Sequence, residues 1–280
     1  MKRFLDELAV CLKEPQRSAA VRAVGGMTVE ALLGLDRNSV YLDKDNVFSA
    51  EQRKTLGAAL WRLAAGEPIQ YVLGSCEFCA MRFRVAPPVL IPRPETEELV
   101  GWIVGDMAGR KDRFLDVGTG SGCVAVSLAR ALPGFEAEAW DILPEALSLA
   151  RENSRLNAVK VQVLHRDLFK AVDAEGPAFS FVVSNPPYVC EEEAARMEAN
   201  VLDYESPTAL FVPDDDALVY YRALAALGRK RLVSGGALYV EINERFGRDV
   251  CRLFKDAGYA EVTLRRDLFG RDRMVKAVLY

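Results

Sequence analysis

Histidine is nearly absent: His165 is the single histidine in 280 residues. A Ser-His or Cys-His catalytic pair would have to use it, and no nucleophile context surrounds it, so it reads as structural. Long hydrophobic runs are missing as well, and none approaches the ~20 residues of a membrane span. Cysteine is sparse and scattered, at positions 11, 76, 79, 123, 190 and 251. Cys76 and Cys79 form a C-x-x-C with no second pair or histidine cluster to complete four zinc ligands, so they read as reduced thiols packed in a hairpin, with no metal. The opening Met1-Lys2-Arg3-Phe4-Leu5-Asp6-Glu7-Leu8 carries acids in an amphipathic pattern. That is unlike a signal or transit peptide, and the expected location is cytoplasmic. Positive charge is not in excess. A net charge of −4 argues against a whole-surface nucleic-acid binder, though not against a local basic patch.

What is there is a chain half hydrophobic and 27% charged, enough for a sizeable core in one large domain or two ordinary ones. The first 75 residues read as a small helical bundle, either a recognition domain or a stabilising cap. Phe4, Leu5, Leu8, Ala9 and Leu12 share a face. Pro15 suits the start of a helix ending at Gly25-Gly26, Thr28 can cap the segment 29–35, and Ser49 to Gln52 has capping-box spacing. Residues 76–93 read as a β-hairpin followed by a proline-rich linker. From Pro94 onward a helix leads into strand–helix alternation, the signature of a parallel sheet. The expected strands lie at 114–117, 136–140, 159–164, 179–183, 237–242, 259–264 and 274–279. The last two are too close in sequence for a helical crossover, so strand seven should be antiparallel.

Three constellations carry chemistry. Gly118-Thr119-Gly120-Ser121-Gly122 follows the first of these strands, where glycines permit a tight turn and close approach of a ligand. Asp141 ends the second strand, placed to take both hydroxyls of a ribose, although alone it could equally cap the helix begun at Pro144. Asp167-Leu168-Phe169 follows the third, offering an acceptor for an exocyclic amine and apolar flanks for its ring. Asn185-Pro186-Pro187-Tyr188 ends the fourth. Prolines fix φ and lack N–H groups, leaving carbonyls without a competing donor. With the Asn185 side-chain oxygen and the flat face of Tyr188, the segment suits a planar NH2 group, although a stiffened surface loop fits the four residues equally well. If the sheet is doubly wound, the first and fourth strands adjoin at the switch point, and the glycine turn faces Asn185 across one crevice. That geometry suits methyl transfer from S-adenosylmethionine to nitrogen.

These residues resemble those of class I S-adenosylmethionine methyltransferases, a Rossmann-like, mostly parallel seven-stranded α/β fold. More narrowly, the chain resembles the HemK/PrmC family of protein-(glutamine-N5) methyltransferases. Family-like segments run in order from Gly66-Glu67-Pro68-Ile69-Gln70-Tyr71 through Ile91-Pro92-Arg93-Pro94-Glu95-Thr96-Glu97 and the glycine turn to Asp267-Leu268-Phe269-Gly270-Arg271-Asp272-Arg273. The resemblance implies a domain at 94–280 that methylates the Gly-Gly-Gln glutamine of peptide chain release factors, modulating translation termination. S-adenosylmethionine would be held by Gly118, Thr119, Gly120, Ser121, Gly122, Asp141, Asp167, Leu168 and Asn185. Asn185, Pro186 and Tyr188 would act in catalysis, with Pro187 completing the substrate site. A monomer without direct nucleic-acid or membrane contact is expected. Departures stand at Ala80, where a glycine is usual, at Leu168, at Ser206, and in 211–218. The alternatives are an adenine-N6 methyltransferase acting on nucleic acid and a non-catalytic adaptor.

Overall fold

The computed structural model describes residues 1–13, 18–36, 48–172 and 175–280. These fall into two compact units, and the chain passes between them three times. The first comprises Met1–Ser75 together with Glu198–Tyr204, the second the remainder.

In the first unit, α1 (Lys2–Cys11), α2 (Ala19–Leu33), α3 (Ala50–Ala64) and α4 (Ile69–Leu73) bury Phe4, Leu8, Val21, Val29, Leu56, Leu60 and Leu63. The capping box at the head of α3 forms as its spacing suggests, with Ser49 and Gln52 exchanging side-chain and backbone bonds. Helix α2 differs from the sequence reading. It begins at Ser18, whose hydroxyl accepts from Val21 N–H, and continues through Gly25, Gly26 and Thr28. Both glycines are buried, and Thr28 Oγ1 donates to the Val24 carbonyl at 2.7 Å instead of capping a new helix. Tertiary burial outweighs the local glycine penalty here. The expected start at Pro15 lies outside the described residues.

The second unit opens with the hairpin β1 (Ser75–Phe78) and β2 (Met81–Arg84), whose two turn residues, Cys79 and Ala80, both adopt positive φ, 49° and 55°. After α5 (Pro94–Met107) come β3 (Asp112–Val117), α6 (Cys123–Ala131), β4 (Phe135–Asp141), α7 (Pro144–Leu156), β5 (Val161–His165), the short α8 (Leu168–Ala171) and β6 (Phe179–Ser184). A small pair, β7 (Val189–Cys190) and β8 (Phe211–Val212), precedes the rest; α9 (Ala199–Tyr204) and α10 (Pro207–Leu210) lie between them in sequence. Then follow α11 (Val219–Arg231), β9 (Leu232–Glu241), α12 (Gly247–Asp256), β10 (Glu261–Arg266) and β11 (Asp272–Leu279).

The large sheet has the order β10-β11-β9-β6-β3-β4-β5, with β11 antiparallel to both neighbours. Its central strands are buried on both faces, as a doubly covered parallel sheet requires. On one face the rings of Phe114 and Phe181 stack 4.9 Å apart beneath Leu99 and Ile103 of α5 and Leu128 of α6. On the other, Leu115 and Val182 meet Leu224 of α11 and Phe254 of α12. Strand β9 starts earlier than the expected 237, because Gly235 and Gly236 form an irregularity within it and not a turn before it. A Cβ on Gly236 would lie 2.8 Å from the Val233 carbonyl.

Candidate active site

Four strands end in register. Trp140 of β4 pairs with Val117 of β3, Val117 with Ser184 of β6, and Ser184 with Val240 of β9. The next residue of each strand therefore forms a row along the carboxyl edge of the sheet: Asp141, Gly118, Asn185 and Glu241. Three members of this row were expected from sequence. Glu241 was not.

The glycine turn is built for its place. Gly118, Gly120 and Gly122 have φ of 70°, 56° and 80°, values that side chains strain to adopt. A Cβ at Gly122 would sit 3.0 Å from both Cα and Cβ of Ala150, so glycine also permits α6 to start hard against α7. Asp116 stands beneath the turn, and its Oδ2 accepts from Thr119 Oγ1 at 2.6 Å and from Ala125 N–H at 3.2 Å. Burial pushes the Asp116 carboxyl up to about 7. Asp141 reaches across so that its Oδ2 accepts from Gly120 N–H at 2.8 Å and its Oδ1 from Leu143 N–H at 3.0 Å. Asn153, fully buried on α7, donates to the Ser121 carbonyl at 2.8 Å and to the Arg84 carbonyl at 3.0 Å, tying turn to hairpin. The sequence reading passed over it.

A cleft of about 1130 Å³, counting its open mouth, joins these parts. Gly118 to Ser121, Asp141, Asp167, Leu168 and the segment Asn185–Pro187 all line it. So do Val89 of the proline-rich linker, Leu143, and Tyr220, which sequence reasoning missed. Tyr220 packs against Phe169 with ring centroids 5.2 Å apart. Asp167 caps α8, its Oδ1 accepting from Phe169 N–H at 2.9 Å. Arg93 closes a rim by donating to both carboxylate oxygens of buried Glu205, at 2.7 and 2.6 Å.

Behind Asn185 lies a buried polar chain. Asn185 Nδ2 donates to Thr96 Oγ1 at 3.2 Å, and Thr96 Oγ1 donates to Glu241 Oε2 at 2.6 Å. Tyr188 donates its hydroxyl to Glu241 Oε1 at 2.9 Å. Burial pushes the Glu241 carboxyl upward, opposed by these two hydroxyls and by Arg273. Tyr188 is thus placed differently from the expected open stacking face. It does not line the cleft, its ring packs against the core cluster around Val240 and Ile242, and Asn243 Nδ2 donates to its carbonyl at 3.1 Å. An acid closing an apolar strand at the ligand-binding edge is the signal that could have found Glu241.

Several other residues have structural places. Glu97 Oε1 accepts from Cys79 N–H at 2.9 Å in the hairpin turn, and Glu98 Oε1 from Leu268 N–H at 3.1 Å. His165 donates to the Ile142 carbonyl at 3.0 Å. Burial pushes the Cys76 and Cys79 thiols up to about 11, which favours the protonated, less nucleophilic form at neutral pH. No helix among the described residues is long and apolar enough to cross a membrane.

Comparison with known proteins agrees with this architecture. The PrmC N-terminal domain family matches residues 5–74 and the methyltransferase small domain family residues 101–210. The chain is 44% identical over 277 residues to the release factor glutamine methyltransferase of Bacteroides thetaiotaomicron, covering 99% of each. It is 38% identical over 278 residues to that of Flavobacterium psychrophilum, covering 98% of this chain and 96% of the relative. Among solved structures, a T. Thermophilus 16S rRNA N2 G1207 methyltransferase in complex with AdoMet and guanosine superposes with a TM-score of 0.53 at 18% identity. That match covers 74% of this chain and 50% of the other, and it speaks for the fold. The chain belongs to the release factor glutamine methyltransferase family.

Proposed function

We propose that this protein transfers a methyl group from S-adenosylmethionine to the side-chain amide nitrogen of a glutamine in peptide chain release factors. The observation that carries this reading is one cleft lined at once by the glycine turn with Asp141 and by Asn185-Pro186-Pro187. The residues present fit the cofactor. The left-handed glycines leave room over the turn, with nothing within 4 Å of a Cβ on Gly118. The buried Ser121 hydroxyl on the wall has no ordinary hydrogen-bond partner beyond the weak thiol of Cys123. Asp141 would take the ribose hydroxyls. Asp167 would face the exocyclic amine, with Leu168, Phe169 and Tyr220 beside the ring. Bound there, S-adenosylmethionine supplies a methyl group made electrophilic by its sulfonium.

The chain's own residues supply position and charge. An amide nitrogen is a poor nucleophile because its lone pair is delocalised into the carbonyl. Asn185 Oδ1 and the Pro186 carbonyl accept its two hydrogens and turn the lone pair toward the methyl group. As positive charge grows on nitrogen, these fixed acceptors stabilise it. Pro187 stiffens the segment, and Tyr188, held by Glu241, anchors its far end. On this reading the N-terminal bundle, 1–75, recognises the release factor, and 94–280 performs the chemistry. The enzyme works in the cytoplasm as a monomer on protein, and the net charge of −4 supports the absence of direct nucleic-acid contact. Incubation with isotope-labelled cofactor and purified release factors, with mass spectrometry to locate the label, tests the proposal. Label on the glutamine side chain is the expected result, and a release factor left unlabelled would overturn it.

A further inference from the structure

The two ends of the Asn185 amide are alike in shape, so shape does not decide whether oxygen or NH2 faces the cleft. The neighbours decide it. Both carboxyl oxygens of Glu241 accept from hydroxyls, one from Thr96 and one from Tyr188. Thr96 Oγ1 lies 2.6 Å from Glu241 Oε2, and its single proton is committed to that bond. Toward Asn185, at 3.2 Å, Thr96 can then only accept, so the NH2 must face Thr96 and Oδ1 is left for the cleft. The other carboxylate oxygen is occupied by the Tyr188 hydroxyl at 2.9 Å. The row of strand ends places Glu241 one strand beyond Asn185, with the Glu241 side chain enclosed.

We infer that Glu241, acting through Thr96, is a positioning residue that holds the Asn185 amide with its oxygen toward the acceptor nitrogen. The inference rests on the methyl-transfer reading, in which Asn185 Oδ1 accepts from the substrate amide. A reversed Asn185 would set its own NH2 against the substrate NH2, two donors face to face, and the lone pair would lose its alignment. Glutamine in place of Glu241 offers one acceptor and one donor where the site has two hydroxyls to receive. Either Thr96 or Tyr188 then loses its partner, and the polarity of the chain is no longer imposed.

The test compares Thr96→Val, which keeps the shape and removes the hydroxyl, with Thr96→Ser, which keeps the hydroxyl, and with Glu241→Gln. Methylation by the wild type is measured first; its absence would sink the functional reading, and the inference would then be judged on the unliganded protein. There, the side-chain NH2 resonances of Asn185 are followed in protein labelled with 15N-asparagine and assigned by their loss in Asn185→Ala. Thr96→Val and Glu241→Gln are expected to move these resonances and to lower kcat by about 100-fold while cofactor Kd stays within about twofold. Thr96→Ser is expected to restore the resonances and most of kcat. Asn185 resonances unmoved by both Thr96→Val and Glu241→Gln would overturn the inference, as would a kcat loss in Thr96→Ser equal to that in Thr96→Val. Should Thr96→Val not fold, Glu241→Gln, which preserves size, carries the comparison alone.

Discussion

Gly120 N–H points at Asp141 Oδ2 across 2.8 Å, so the residue that would hold a ribose also holds the turn that would approach the cofactor. The second oxygen of the same carboxylate fixes Leu143, on the wall of the cleft. Asp141→Ala removes both charge-assisted bonds together with the ribose contacts. It is expected to weaken cofactor binding by about 2–3 kcal/mol, on the order of 100-fold in Kd, with a much smaller loss of kcat at saturation. Calorimetric titration followed by steady-state kinetics checks the split, and an unchanged Kd would remove Asp141 from the cofactor site.

Asn185→Ala deletes the acceptor without touching the glycine turn. Its kcat is expected to drop by about 10²–10³-fold, the cost of removing one preorganised group at a developing charge, with cofactor Kd little changed. Rapid-quench methyl transfer to a release factor measures it. Near-wild-type turnover would mean that Asn185 does not touch the acceptor amide.

The pH dependence turns on Asp116, whose carboxyl burial raises to about 7, with Asp141 adding to the rise and Thr119 and Ala125 opposing it. A folded value above the unfolded one, near 3.9, means that the folded chain holds the proton more tightly, so this group's contribution to stability falls as pH rises from about 4 to about 7 and then levels. Asp116→Asn abolishes that slope, and the variant is expected to gain on the wild type by about 1–3 kcal/mol by pH 8. Melting curves across this range decide it. A cationic cofactor favours the ionised form, so its affinity should climb with pH to about 7 and flatten above. A flat affinity profile would count against contact between the cofactor's positive charge and Asp116.

Two substitutions at positive φ are expected to have opposite signs. Ala80 occupies the second position of the two-residue hairpin turn at φ 55°, and Ala80→Gly relieves that conformation. A gain of about 1 kcal/mol in unfolding free energy is expected. Gly122→Ala imposes the same strain and also drives a Cβ to 3.0 Å from Ala150, at a cost of about 2–3 kcal/mol. Chemical denaturation of the two variants side by side measures both effects.

Most of the architecture was legible because it is local. Strand–helix alternation, the short final connection and the glycine turn each lie within a few dozen residues, whereas of the strand order only the adjacency of the first and fourth expected strands follows from a doubly wound sheet. Asn185 was legible because it ends an apolar strand at the ligand-binding edge, and Asp141 because it stands 19 residues beyond Gly122 at the end of the next strand. Thr96 and Glu241 were not, since they meet over 145 residues of sequence; Thr96 stands in a family-like segment that assigns it no role, and Glu241 in none of the quoted segments. Asn153 is hidden for the same reason, its partners at Arg84 being 69 residues away. Helix α2 misled because Gly25, Gly26 and Thr28 carry the local signature of a helix end, while burial keeps the helix intact. Tyr188 was read by its ring as an open stacking face, whereas the fold packs that ring against the core and bonds its hydroxyl to Glu241.

The first unit takes one of its helices, within Glu198–Tyr204, from far down the chain, with Tyr204 donating to the Ala65 carbonyl at 3.3 Å. During synthesis its N-terminal helices leave the ribosome long before that piece exists; position 204 lies 129 positions after position 75. The bundle therefore cannot reach its final composition on its own schedule and must wait until the glycine turn and Asn185 have already been made. A shortened chain ending near residue 75 is an unfinished object, and the assembly of the two units in time is interleaved instead of sequential.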